Sequence, residues 1–286
     1  LATVQPKGHL TPFFCVHGGD GRVMIYRHLS EHLDKNRPLL GIESPGLFKS
    51  DAIKVGRVEK MAVDYLRVLQ KRQPHGPYYL GGYSFGGVVA YEMARILVAK
   101  GEKVHFLALF DTMNHMRKFR YNPIKWARGL YTTFMAAGIP ARIRGVAKRV
   151  LSFWRVQENE PLLVRIKKLL IQSRTFLLGR FKNEEGVFAP RPAEAHTGLR
   201  GSQLVRAYIW SMRKYHPKPY RGKLTLFKVA KNEAEDEEVA EDYGWGKIVD
   251  KLEIVPVEGE HLTMFDAEYI KTLGASVRQH LQASDE

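Results

Sequence analysis

The feature that most limits the fold is a five-residue turn, Gly82-Tyr83-Ser84-Phe85-Gly86, between an apolar run and a helical pattern. Tyr78 to Gly82 (YYLGG) precedes it and reads as a strand. After it, Val88, Val89, Met93, Ile96 and Leu97 repeat at helical spacing until Gly101. A strand that turns this sharply into a helix needs glycines beside the turn, so that neighbouring backbone can pass closely. Ser84 then projects above the sheet edge with strained backbone angles, and the N-terminal amides of the helix favour an anion at the same place. The pattern G-x-S-x-G in a strand–turn–helix setting suits an activated serine. The rival reading is a glycine-rich turn that binds phosphate or simply packs.

The same alternation extends on both sides. Thr11 to Val16 (TPFFCV) and Pro38 to Ile42 (PLLGI) read as buried strands separated by a helix with Ile25, Leu29 and Leu33 on one face. Val58 to Gln73 is helical and is stopped by Pro74 and Gly76. Val104 to Phe110 (VHFLALF) is a strand ending at Asp111. Later come a helix at about Ser202 to Tyr215, strands at Lys223 to Val229 and Leu252 to Val257, and a helix from Ala267 to Leu281. Apolar strands alternating with helices predict an α/β fold, with a mostly parallel sheet covered on both sides.

Between Met113 and Arg200 the alternation stops, and only amphipathic helical stripes punctuated by Pro123, Pro140 and Pro161 are visible. The whole chain, 1–286, is therefore read as one domain, with a core of 11–112 and 201–286 and a helical insertion at about 113–200. This insertion carries most of the net charge of +15: it has 18 Lys and Arg against 5 Asp and Glu, whereas the rest has 27 against 25. Such a field attracts an acidic partner. Its apolar stripes argue against a nucleic-acid surface, and they equally suit the lining of an apolar ligand channel. The longest uncharged stretch, Gly76 to Tyr91, is too short and too rich in glycine to span a bilayer. The single cysteine, Cys15, excludes a disulfide framework or a Cys-based zinc site within the chain. It fits a cytoplasmic protein, as does the lack of a secretory pattern at the start. A start at Leu1 rather than methionine favours a domain of a longer polypeptide.

A serine hydroxyl needs a base, and on a fold of this kind the order is serine, acid, histidine. Of 11 histidines, His261 follows the last strand in a loop at the sheet edge. Asp111 closes the strand after Ser84 and is the expected orienting acid. Asp266 competes with it, but lies where a helix N-cap is needed. The oxyanion requires two backbone amides: one from Phe85, the other from the loop His17-Gly18-Gly19, with Gly19 favoured. His17 is expected to shape that turn.

These segments together resemble the thioesterase domains of nonribosomal peptide and polyketide synthetases. The resemblance rests on FFCVHGGDG, RPLLGIESPGL, GGYSFGG, ALFDT, YRGKLTLFKVAKNE, the pair Gly244-Trp245 and VPVEGEHLTMF. It covers nearly the whole chain outside 113–200. It implies an α/β-hydrolase fold and a triad of Ser84, Asp111 and His261, and it makes the insertion a helical lid. The implied partner is an acyl or peptidyl carrier protein. Its phosphopantetheine arm brings the acyl thioester, so the chain itself needs no cofactor and no metal. One departure is Gly18-Gly19, where the family often has proline.

The resulting expectation is a serine thioesterase that releases an acyl chain through an acyl-serine, by hydrolysis or cyclisation. The alternatives are an oxygen-ester carboxylesterase or lipase, and an inactive binding module that uses the basic segment for an acidic partner.

Overall fold

In the computed structural model of the protein, the described residues are 1–47, 56–114, 199–229 and 240–285. The chain divides into two compact units, Leu1–Phe119 with Val187–Glu286, and Arg120–Gly186. Every described residue belongs to the first. The expected helical lid of about 113–200 lies, apart from its two ends, outside the described residues, as does most of the acidic stretch Glu233 to Asp242.

The elements run β1 (Ala2–Gln5), β2 (Phe13–Val16), α1 (Tyr26–His32), β3 (Leu39–Ile42), α2 (Val58–Gln70), β4 (Tyr78–Tyr83), α3 (Phe85–Ala99), β5 (Val104–Phe110), α4 (Leu199–Lys214), β6 (Tyr220–Val229), β7 (Val249–Val257) and α5 (Ile270–Ala283). Seven strands form one sheet in the order β1-β3-β2-β4-β5-β6-β7. Only β1 runs antiparallel to its neighbour. It lies in what reads as a polar lead, because an edge strand has one bonded neighbour and can keep polar side chains in water. The other edge, β7, is likewise partly exposed, with only Val257 buried, rather than buried on both faces.

Period-two alternation in the central strands sorts side chains between two cores. Phe14, Val16, Leu80, Leu107 and Leu109 pack with α2, α3 and α4 on one face. Phe13, Cys15, Tyr79, Phe106, Ala108 and Phe110 pack with α1 and α5 on the other. Since six of the strands are parallel, β2, β4, β5, β6 and β7 all end at one sheet edge. In α/β sheets this carboxyl edge is where ligands bind. No helix among the described residues is long and apolar enough to cross a membrane.

Candidate active site

Ser84 and Asp111 emerge from adjacent strands in register, since Tyr83 pairs with Phe110. The Ser84 backbone has φ 53° and ψ −116°, outside the favourable regions for a residue with a Cβ. Three hydrogen bonds hold it there: its N–H donates to the Phe110 carbonyl (2.9 Å), and its carbonyl accepts from the Thr112 hydroxyl (3.1 Å) and the Gly87 N–H (3.2 Å). Glycine is demanded beside it, because a Cβ on Gly82 would stand 2.3 Å from the Gly86 carbonyl carbon and oxygen. A strained residue persists only where its surroundings over-determine it, and these do.

His261 Nε2 lies 3.1 Å from Ser84 Oγ, and Nδ1 lies 2.5 Å from Asp111 Oδ2. Asp111 is buried and also has positive φ, at 42°. Its Oδ1 accepts from the Tyr243 hydroxyl (3.1 Å) and the Val229 N–H (3.4 Å), which turns Oδ2 toward the histidine. With Asp111 accepting, Nδ1 carries the proton and Nε2 is free to take one from Ser84. The imidazole is stacked on the Tyr83 ring, and the Tyr83 hydroxyl donates to the His261 carbonyl. Burial, followed by the Asp111 charge, pushes the Tyr83 pKa far up, so this donor keeps its proton.

The two expected oxyanion amides are also at this edge. Phe85 opens α3, and among the described residues neither its N–H nor that of Gly19 has a hydrogen-bond partner. The loop after β2 lies directly on α3: a Cβ on Gly86 would stand 2.3 Å from the His17 carbonyl oxygen. Asp266, in contrast, is exposed. It does not cap α5, whose N-cap is Tyr269, as the sequence pattern predicts for it; its carbonyl accepts the Tyr269 and Ile270 N–H groups in a turn before the helix. The pattern misleads because several turns intervene between His261 and the first helical residue.

The family model described as thioesterase domain matches residues 11–277. This chain belongs to the thioesterase domain family. The thioesterase domain is 44% identical over 112 residues to malpinin synthetase of Mortierella alpina, a match covering 39% of this chain and 1% of that protein. It is 35% identical over 130 residues to atromentin synthetase of Tapinella panuoides, covering 46% and 13%. It thus spans a small part of the length of the curated relatives it matches. Among solved structures, holo-AB3403, a four-domain nonribosomal peptide synthetase bound to AMP and glycine, aligns over 97% of this chain and 20% of that one, with a TM-score of 0.68 and 25% identity. The NocB thioesterase domain in covalent complex with a fluorophosphonate nocardicin G analog aligns over 98% of both chains, with a TM-score of 0.64 and 24% identity. The fold is therefore that of the α/β-hydrolases.

The structure brings together the serine, histidine and aspartate that the sequence singled out, on supports that the sequence did not reveal. Tyr83 fills the variable position of G-x-S-x-G, where no residue type is demanded. Tyr243 precedes Gly244-Trp245 at φ 50°, a conformation no pattern announced. Trp245 is buried and donates to the Thr112 carbonyl (2.7 Å), tying this segment to the strand end that carries Asp111.

Proposed function

We propose that the protein releases an acyl or peptidyl chain from a carrier-protein thioester through an acyl-Ser84 intermediate. The observation that carries this reading is the line Asp111–His261–Ser84 at the carboxyl edge of the sheet, with distances of 2.5 and 3.1 Å. His261 takes the Ser84 proton as Oγ attacks the thioester carbonyl. The amides of Phe85 and Gly19 hold the oxyanion, and collapse expels the pantetheine thiolate, which receives the proton from His261. A second nucleophile, water or a group on the acyl chain itself, then gives up its proton to His261 and attacks the acyl-serine; collapse breaks the bond to Ser84 Oγ, which takes the proton back from His261.

The synthetase relatives and the thioesterase family match support a carrier-bound substrate over a free lipid. The pantetheine belongs to the carrier, so the reading assigns no dissociable cofactor to this chain. The basic segment 113–200 would serve as lid and as the attractive surface for an acidic carrier.

The deciding experiment is mass spectrometry of the intact protein after mixing with acyl-loaded carrier protein. The reading expects the mass of the acyl group on Ser84, absent in Ser84→Ala. Acylation by an oxygen ester but not by the matching thioester would replace it with the esterase alternative. No acylation by either would favour a binding module.

A further inference from the structure

The loop after β2 is tied to the interior by a run of hydrogen bonds that the acyl-transfer steps leave unused. His17 is fully buried, with Nδ1 2.6 Å from the Gly18 carbonyl oxygen and Nε2 2.7 Å from the Tyr65 hydroxyl. Tyr65 lies on α2, its ring edge-on to the imidazole with centroids 5.7 Å apart. The Tyr208 hydroxyl lies 2.5 Å from Ser44 Oγ, which accepts the Gly46 N–H at 3.0 Å.

The directions of the two bonds at His17 follow from its tautomer. A carbonyl can only accept, so Nδ1 of His17 carries a proton. Complete burial holds the imidazole neutral by lowering its pKa to about 4, so Nε2 has only a lone pair. Tyr65 has one proton, and the histidine nitrogen, with no other donor, takes it. Tyr65 and His17 therefore donate in one direction, ending on the Gly18 carbonyl. Bonds in such a series polarise one another.

The Gly18 carbonyl and the Gly19 N–H are the two ends of one planar trans peptide and point opposite ways. His17 and the Gly21 N–H (3.1 Å) both pull the carbonyl. That fixes the plane of the peptide and leaves the Gly19 N–H facing away from them, without a partner among the described residues. A hydrogen bond at the carbonyl also draws amide electrons toward oxygen and makes the N–H at the other end a better donor. The rings add a second tie. His17 packs against Phe85 and Tyr208, with centroids 5.8 and 5.1 Å apart, and Phe85 stacks on Tyr208 at 4.2 Å. The residue carrying one oxyanion amide thus rests on the same cluster that orients the other.

We propose that His17, held by the Tyr65 hydroxyl, is a positioning residue for the oxyanion hole, fixing and strengthening the Gly19 N–H as a donor to the tetrahedral intermediate. It rests on the acyl-transfer reading above.

The test uses the whole chain with a short acyl thioester, and compares wild type with His17→Leu, His17→Asn, Tyr65→Phe and a Ser84→Ala control. A trifluoromethyl ketone, whose adduct with Ser84 carries an oxyanion, reports on the hole directly, and the matching carboxamide reports on ground-state binding. His17→Leu should lower kcat by about 10–100-fold, somewhat less than deletion of a donor, with KM within about threefold. It should weaken the ketone by a similar factor and leave the carboxamide unchanged. Tyr65→Phe should give a smaller loss of the same kind. His17→Asn should recover most of the activity, because its side-chain amide places an N–H near where Nδ1 stood. The proposal is overturned if kcat is unchanged in both His17→Leu and Tyr65→Phe, if ketone and carboxamide weaken together, or if Asn is no better than Leu. Should His17→Leu fail to fold, Tyr65→Phe, which removes one oxygen atom, gives the same comparison. Wild-type turnover in Ser84→Ala would instead remove the acyl-transfer reading itself. Inactive Ser84→Ala beside fully active His17→Leu and Tyr65→Phe would remove this proposal alone.

Discussion

The Tyr83 ring lies against the His261 imidazole, with centroids 4.9 Å apart and planes 29° apart, and its hydroxyl donates to the His261 carbonyl. The residue just before the nucleophile thus holds the base. Tyr83→Phe keeps the stack and loses the hydrogen bond, which should cost about 1 kcal/mol of positioning, or roughly fivefold in kcat. Tyr83→Ala loses both and should cost more than tenfold. Steady-state kinetics at saturating substrate decide; equal activity of the two variants would show that only the hydroxyl matters.

Asp111→Asn should lower kcat by about 10³–10⁴-fold through the histidine tautomer. The Val229 N–H and Tyr243 hydroxyl both point donors at Oδ1. They would hold the Asn carbonyl oxygen and turn its NH2 toward His261 Nδ1, so Nε2 would carry the proton and could accept none from Ser84. Asp266→Asn, exposed and outside the triad, should stay within about twofold. The reverse ranking in kcat would move the acid to Asp266.

Alanine is ordinarily the better helix former than glycine by about 1 kcal/mol. At Gly86 the sign should reverse. Its Cβ would stand 2.3 Å from the His17 oxygen and 2.5 Å from the Val16 oxygen, both backbone atoms that cannot swing aside. Gly86→Ala should lose about 1–3 kcal/mol in urea unfolding and displace the β2 loop, lowering kcat as well. A more stable, fully active Gly86→Ala would contradict this packing.

His17 makes stability pH-dependent in a defined window. Its folded pKa is about 4, below the ordinary 6.5, so the unfolded chain takes up the proton first as pH falls. The neutral-His17 contribution is complete above pH 6.5 and is lost as pH falls toward 4, by about 3 kcal/mol in all. The groups facing His17 are Tyr65, Tyr208 and Phe85; burial raises both tyrosine pKa values, Tyr208 to about 12, so none titrates in this window. Urea unfolding of wild type and His17→Asn from pH 7 to 4 should show the wild-type advantage shrinking. A constant difference would mean that His17 is not buried neutral.

The basic segment supplies a prediction from charge alone. Reversing Arg117, Lys118, Arg120, Arg142, Arg144, Lys148 and Arg149 together should slow acylation from an acidic carrier, and a small free thioester should react unchanged. The carrier effect should fade with salt, since exposed charges are screened beyond about 8–10 Å at physiological ionic strength. Equal loss on both substrates would indicate a disturbed fold of the segment.

The strand–helix alternation and the residues at strand ends were legible in the chain because they are local. Periodicity places Ser84, Asp111 and the loops at 17–19 and 258–261 at one edge of a parallel sheet, whatever the packing details. The edge strand β1 escaped because its partner is recognised by backbone hydrogen bonds rather than side chains. The supports of the site escaped for a related reason. Tyr83 on His261, Tyr243 and Val229 on Asp111, Tyr65 on His17 and Ser44 with Tyr208 join residues up to 178 positions apart. A tyrosine or histidine in any of these places reads locally as core or surface. Which hydroxyl meets which acceptor is decided only when the two faces of the sheet close, since burial is what obliges each polar group to find its partner.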